Sequence, residues 1–112
     1  MAMTFDEYQQ QALTTAVNDY EPLMAKTIWA MGVAGEAGEV IEKWKKIVAY
    51  KDGEVSDEDH ADLAKELGDV VWYIAVFAHE LGLSFDDVMQ RNVAKLQSRK
   101  QRDTIKGAGD NR

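Results

Sequence analysis

The chain has 112 residues, 46% hydrophobic and 29% charged, and it reads as one ordered domain from 1 to 112 with a single modest core. It has no cysteine, which excludes disulfides, thiolate metal sites and a cysteine nucleophile. A net charge of −7 argues against binding a nucleic-acid polymer. The N-terminus lacks a basic segment followed by an apolar one, and no apolar run reaches the ~20 residues of a membrane span, so a cytoplasmic protein is expected.

Charge is unevenly placed. The middle of the chain is acidic, whereas its end carries Lys95, Arg99, Lys100, Arg102, Lys106 and Arg112 against Asp103 and Asp110. An acidic cluster facing a basic one suits a metal-phosphate ligand, which needs both.

A lone proline, Pro22, leaves long helices uninterrupted. The first helix is predicted from Thr4, where Thr-Phe-Asp-Glu matches a capping box, to about Tyr20, making 1–20 an N-terminal helix. The second runs from about Leu23 to Tyr50 and stops at Lys51-Asp52-Gly53. Ser56 with Asp59 caps the third, which ends at Leu81-Gly82. Ser84 with Asp87 caps the fourth, which continues to about Arg102, and residues 103–112 form a glycine-rich basic tail. The fold class is therefore all-α, an antiparallel four-helix bundle.

At about 100° per residue, Val33, Ala37, Val40, Ile41, Trp44 and Val48 make one apolar stripe. Leu63, Leu67, Val70, Ile74, Phe77 and Leu81 make a second, and Phe85, Val88, Met89 and Leu96 a third. Trp44 is read as core. The third helix has another apolar side, Trp72, Ala75 and Val76, which must be covered. A homo-oligomer with that helix near the interface is expected, the alternative being that the first helix covers it.

The chemistry is concentrated in two polar stripes. Gly32, Glu36, Glu39 and Lys43 fall within about 60° on the second helix, and Asp62, Glu66, Asp69 and Tyr73 do so on the third. Each stripe borders its helix's apolar side, so Glu36, Glu39, Glu66 and Asp69 should converge between the helices. Four crowded carboxylates require protonation or a cation. All-oxygen ligation favours magnesium or manganese over zinc or copper, and no Glu-x-x-His pair supports di-iron. Gly32, Gly35, Gly38 and Gly68 lie inside these helices at a cost of ~1 kcal/mol each. Either close helix packing or room for a ligand offsets that cost.

The doubled acidic motif, Glu36-x-x-Glu39 followed by Glu66-x-x-Asp69, resembles the MazG-like family of all-alpha nucleotide pyrophosphohydrolases, as do the settings GEAGEVIEKWKK and ELGDVVWYI. The resemblance runs from about Phe5 to Arg99. It implies hydrolysis of a (deoxy)nucleoside triphosphate to the monophosphate and pyrophosphate, often for nucleotide-pool housecleaning, by a homodimer or homotetramer. It also implies Mg2+, with Mn2+ a substitute, held by Glu36, Glu39, Glu66 and Asp69. Lys43 matches a lysine that follows the family's first pair, and Tyr73, Asn92, Lys95 and Arg99 match substrate-contacting positions. Within that scheme Glu39 is the first choice to accept the attacking water's proton, ahead of Glu42, with Lys43, Lys95 and Arg99 stabilising phosphate charge. Trp29 is read as core, with base stacking as the alternative, and His60 and His79 as surface or interface residues. The tail is a candidate to fold over the triphosphate through Lys106 and Arg112. Competing readings are a catalytically idle helical dimer and a pyrophosphatase of another substrate such as phosphoribosyl-ATP.

Overall fold

The computed structural model describes residues 2–103 together with 106, 107, 109 and 110. These form four helices and no strand: α1 (Phe5–Leu13), α2 (Pro22–Lys51), α3 (Asp57–Glu80) and α4 (Phe85–Gln101). None of them is long and apolar enough to cross a membrane.

Local chemistry sets the boundaries. Glu7 N donates to Thr4 Oγ1 and Thr4 N to the Glu7 carboxylate, closing the expected capping box on α1. Ser56 and Asp59 make the same reciprocal pair on α3, and Ser84 Oγ accepts from Asp87 N on α4. The first helix is shorter than the sequence pattern suggests, ending at Leu13 rather than near Tyr20. There the hydroxyls of Thr14 and Thr15 donate to the carbonyls of Gln11 and Ala12, competing with further helical turns. Asn18 then accepts from Tyr20 N in an Asx turn, and Pro22 opens α2 at a position needing no amide hydrogen.

The dominant packing is the antiparallel pair α2 and α3, which meet along their length. Its tip turns through Asp52 (φ 53°) and Gly53 (φ 80°), and Lys51 Nζ clasps the Asp59 carboxylate at 2.8 Å. At the other end α1 lies against α3 and α4. Buried Gln9 holds this junction: its amide donates to the carbonyls of Ala75 (3.0 Å) and Leu83 (3.1 Å), and its oxygen accepts from Phe85 N. The N-termini of α1 and α4 also cap each other. Asp6 accepts from Ser84 Oγ and Asp86 N, while Asp86 accepts from Phe5 N. These contacts hold the Asp6 carboxyl below its ordinary pKa, the Asp86 amide contributing most.

Two expectations about packing need correction. The Trp72–Ala75–Val76 side of α3 is covered within the chain by α1, with Trp72 Nε1 donating to Thr15 Oγ1 at 2.8 Å. Trp44, expected in the core, is 45% exposed, and its neighbours Ile41 and Val48 are exposed with it. The stripe on α2 was identified correctly as apolar, but α3 packs against the adjacent sector that carries Trp29 and Ile47. Ala12, Ala25, Trp29, Ala75, Val76 and Phe85 form the core cluster instead. The result is an open molecule: its radius of gyration is 17.0 Å, against about 13 Å for a compact domain of this length.

Candidate functional site

The α2–α3 pair brings residues with sequence numbers summing to about 105 into register. Gly32 lies against Tyr73, and Lys43 Nζ reaches Asp62 at 3.6 Å. Between those two crossings Glu36 from α2 meets Glu66 and Asp69 from α3, each offering an oxygen within 4.8 Å of the others. Opposite helices thus supply a three-carboxylate cluster from residues 30 or more positions apart.

The electrostatics match the geometry. Glu36 has its carboxyl pKa pushed above the ordinary glutamate value, first by desolvation, then by the charges of Asp69, Glu66 and Glu39. Glu39, one turn along α2, is exposed and lies outside the three-oxygen cluster, though its charge acts on Glu36. Lys43, half-buried, is held beside the cluster by Asp62, a residue seen in the polar stripe but given no role there.

The cluster fits a hard divalent cation. Around an octahedral magnesium with ligands at 2.0–2.1 Å, oxygens lie about 3–4.2 Å apart. Three oxygens within 4.8 Å need only small side-chain adjustments to reach that spacing. The glycines divide into two kinds. A Cβ on Gly32 would overlap the Tyr73 ring, so that glycine serves close packing. At Gly35, Gly38 and Gly68 a Cβ would meet nothing within 4 Å, leaving open space around the carboxylate-bearing turns.

Aromatic rings form one wall. Tyr73 packs edge-on to Trp72 (centroids 4.9 Å apart) and tilted against Trp29 (6.1 Å), which also meets Trp72 and Tyr20. Trp29 is 6% exposed, in keeping with its reading as core. Tyr8 of α1 is a residue the sequence reading passed over. Burial raises its hydroxyl pKa, and the charge of Asp69 raises it further, which places α1 at the border of the acidic site. Its signal was position: Tyr8 and Ala12 share the face that α1 turns to the core.

The residues of α4 are placed differently. Asn92 is exposed, in a shallow pocket with Leu83, Val88, Arg91 and Lys95. Lys95 and Arg99 turn toward Asp110 of the tail, 3.2 Å from each. Among the described residues α4 makes no contact with α2, so a single chain does not bring these side chains against Glu36, Glu39 and Lys43. His60 and His79 are exposed, and Arg112 lies outside the described residues.

An antiparallel helix pair with carboxylates converging from both helices defines an all-α protein with a candidate cation site. The chain matches the MazG nucleotide pyrophosphohydrolase domain over residues 26–103, more than half its length, and belongs to that family. The match spans α2, α3 and α4 and begins at Lys26, leaving α1 outside it. Gene 37 protein of Mycobacterium phage L5 is 46% identical over 114 residues, covering 98% of this chain and 100% of that protein. No solved structure matches the chain. Family membership supports a nucleotide pyrophosphohydrolase activity in general terms, in a family that is typically metal-dependent.

Proposed function

We propose that the protein hydrolyses a (deoxy)nucleoside triphosphate to the monophosphate and pyrophosphate with Mg2+, as a housecleaning enzyme of the cytoplasmic nucleotide pool. The observation that carries this reading is the convergence of Glu36, Glu66 and Asp69 across the α2–α3 pair. Those three carboxylates, with Glu39 beside them, would hold the cation. Bound there, magnesium supplies charge neutralisation for the phosphates and makes a coordinated water more acidic. Glu39, exposed and outside the triad, keeps a carboxylate available to accept a proton from water attacking the α-phosphorus. The bond to the pyrophosphate leaving group breaks as the new P–O bond forms. Lys43, held at the edge of the cluster by Asp62, is placed to exchange that partner for a phosphate oxygen. Tyr73 and the rigid aromatic wall behind it limit how deeply the substrate enters.

We further propose that the working unit is a homodimer. Ile41, Trp44 and Val48 share a ~60° sector of α2, centred roughly 130–150° from the stripe of Glu36, Glu39 and Lys43. Together with exposed Leu67 and Val71 of α3 they give the helix pair an apolar face that a second copy would cover.

A pyrophosphate-release assay over a panel of canonical and modified nucleotides, with phosphoribosyl-ATP included, tests the chemistry. The expected outcome is magnesium-dependent pyrophosphate release that Glu39→Gln lowers by at least ~100-fold. Release of orthophosphate alone, or no turnover by folded protein, would overturn the assignment, the latter in favour of an idle helical dimer.

A further inference from the structure

Arg99 is one of only two charged or polar side chains buried among the described residues, at 4% side-chain exposure. A guanidinium so enclosed is tolerable only when anions or carbonyls surround it. Part of that surrounding comes from the end of the chain. Arg99 Nη2 donates to the Asp110 carbonyl at 2.8 Å and to its carboxylate at 3.2 Å, and Lys95 Nζ reaches the same carboxylate oxygen at 3.2 Å. Asp103 (φ 57°), just beyond α4, and Gly109 (φ 80°), just before Asp110, both lie in the left-handed region.

The two partners differ in one respect that matters. Arg99 is enclosed, whereas the Asp110 side chain is 82% exposed. Lys95 and Arg99, one turn apart on α4, therefore form a preformed two-cation seat for an oxyanion, presently filled by a carboxylate that solvent can exchange. Those hydrogen bonds hold the Asp110 carboxyl below its ordinary pKa, Lys95 contributing most, so the seat is filled at neutral pH by a full negative charge. A single exposed carboxylate holds its partners weakly. A phosphate chain carries more charge and more acceptor oxygens on the same geometry.

We propose that Asp110 is a built-in competitor for the substrate: its carboxylate occupies the Lys95–Arg99 seat, and the nucleotide's phosphate chain must displace it. The tail thereby raises the nucleotide concentration the enzyme needs, without touching the carboxylate cluster. This rests on the proposed homodimer, because one chain does not bring Lys95 and Arg99 against the carboxylate cluster. It rests also on the reading of those two residues as phosphate-binding cations, which the test separates from the competitor.

Inorganic pyrophosphate is titrated calorimetrically, with magnesium, into the full-length protein and into Asp110→Asn, Asp103→Asn and Lys95→Ala, and KM is measured for the best nucleotide. Asp110→Asn is expected to bind pyrophosphate about two- to fivefold tighter, with KM falling by the same factor and kcat unchanged. Asp103→Asn makes the same charge change in the same segment and should leave both quantities where they were. Lys95→Ala should weaken binding. Equal tightening by the two asparagine variants, or no tightening by Asp110→Asn while Lys95→Ala still weakens binding, overturns the competitor and leaves the cations' role intact. Unaltered binding by Lys95→Ala overturns the phosphate reading and the competitor with it.

Discussion

Two identical substitutions three residues apart on α2 should move stability in opposite directions. Replacing glycine by alanine inside a helix gains about 1 kcal/mol from propensity, largely by restricting the unfolded chain. That gain is common to Gly35→Ala and Gly32→Ala and cancels between them. At Gly35 nothing lies within 4 Å of the new methyl group, so the full gain survives. It amounts to a rise of about 4 °C in Tm for a chain of this size. At Gly32 the methyl overlaps the Tyr73 ring, which Trp29 and Trp72 hold on two sides and which cannot simply rotate away. Overpacking of that kind costs about 1–3 kcal/mol, leaving a net loss of up to ~2 kcal/mol and a fall in Tm of several degrees. Thermal and urea unfolding of both variants at one protein concentration measures the contrast. Pyrophosphate release adds a second reading: Gly35→Ala should be more stable yet less active if substrate occupies the space beside Glu36. A Gly35→Ala protein less stable than the parent, or a Gly32→Ala protein as stable as Gly35→Ala, would refute the division of the glycines into packing and open positions.

Gln9→Leu removes the amide that joins α1 to the α3–α4 turn and leaves Phe85 N and the Leu83 carbonyl without that partner; urea unfolding should show a loss of about 2–4 kcal/mol. Acid should weaken the fold in a defined window. Asp59 is held down to about 2, chiefly by the Lys51 hydrogen bond, from an ordinary value of 3.8, and Asp6 is lowered as well. A depressed carboxyl stabilises the folded chain above its unfolded pKa, and this stabilisation is lost as pH falls through about 4 toward 2. Urea midpoints measured across that range should fall, and Asp59→Asn should flatten the fall. Trp44→Glu should turn a dimer into a monomer by light scattering, with a lower Tm, whereas a surface change such as Lys46→Glu leaves the mass unaltered.

The elements and most of the acidic site were legible in the sequence because their causes are local. Thr4, Ser56 and Ser84 announce three helix starts through side-chain bonds only three residues long, and all three form. The i,i+3 pairs of carboxylates identify a helix face whatever surrounds it, and three of the four acids meet as that face requires. What escaped depends on distant neighbours. The end of α1 was misplaced because Pro22 set the limit near Tyr20, whereas the Thr14 and Thr15 hydroxyls stop the helix at Leu13. Trp44 was assigned to the core because an apolar stripe reports that a surface will be covered, without reporting by which chain. Tyr8 was missed because only the docking of α1 through Gln9 brings it toward Asp69.

These features have a common physical basis in the division of the α2–α3 pair into two unlike faces. One face gathers mutually repelling carboxylates beside glycines that contribute no packing, and each of these weakens the isolated chain. The other exposes Ile41, Trp44, Val48, Leu67 and Val71, apolar surface whose burial is worth roughly 25 cal/mol per Å². Covering the second face by a like chain would recover stability of the order that the first gives up, and it would do so without filling the space beside the acids. Cation binding would act on the first face directly, offsetting the desolvation and the repulsion that together lift the Glu36 pKa. Dilution and chelation should therefore each lower Tm. Their effects should be separable, because Trp44→Glu removes the concentration dependence while Glu36→Gln removes the response to magnesium. A Glu36→Gln protein whose Tm still rises with magnesium as the parent's does would show that the cation stabilises the fold from somewhere else.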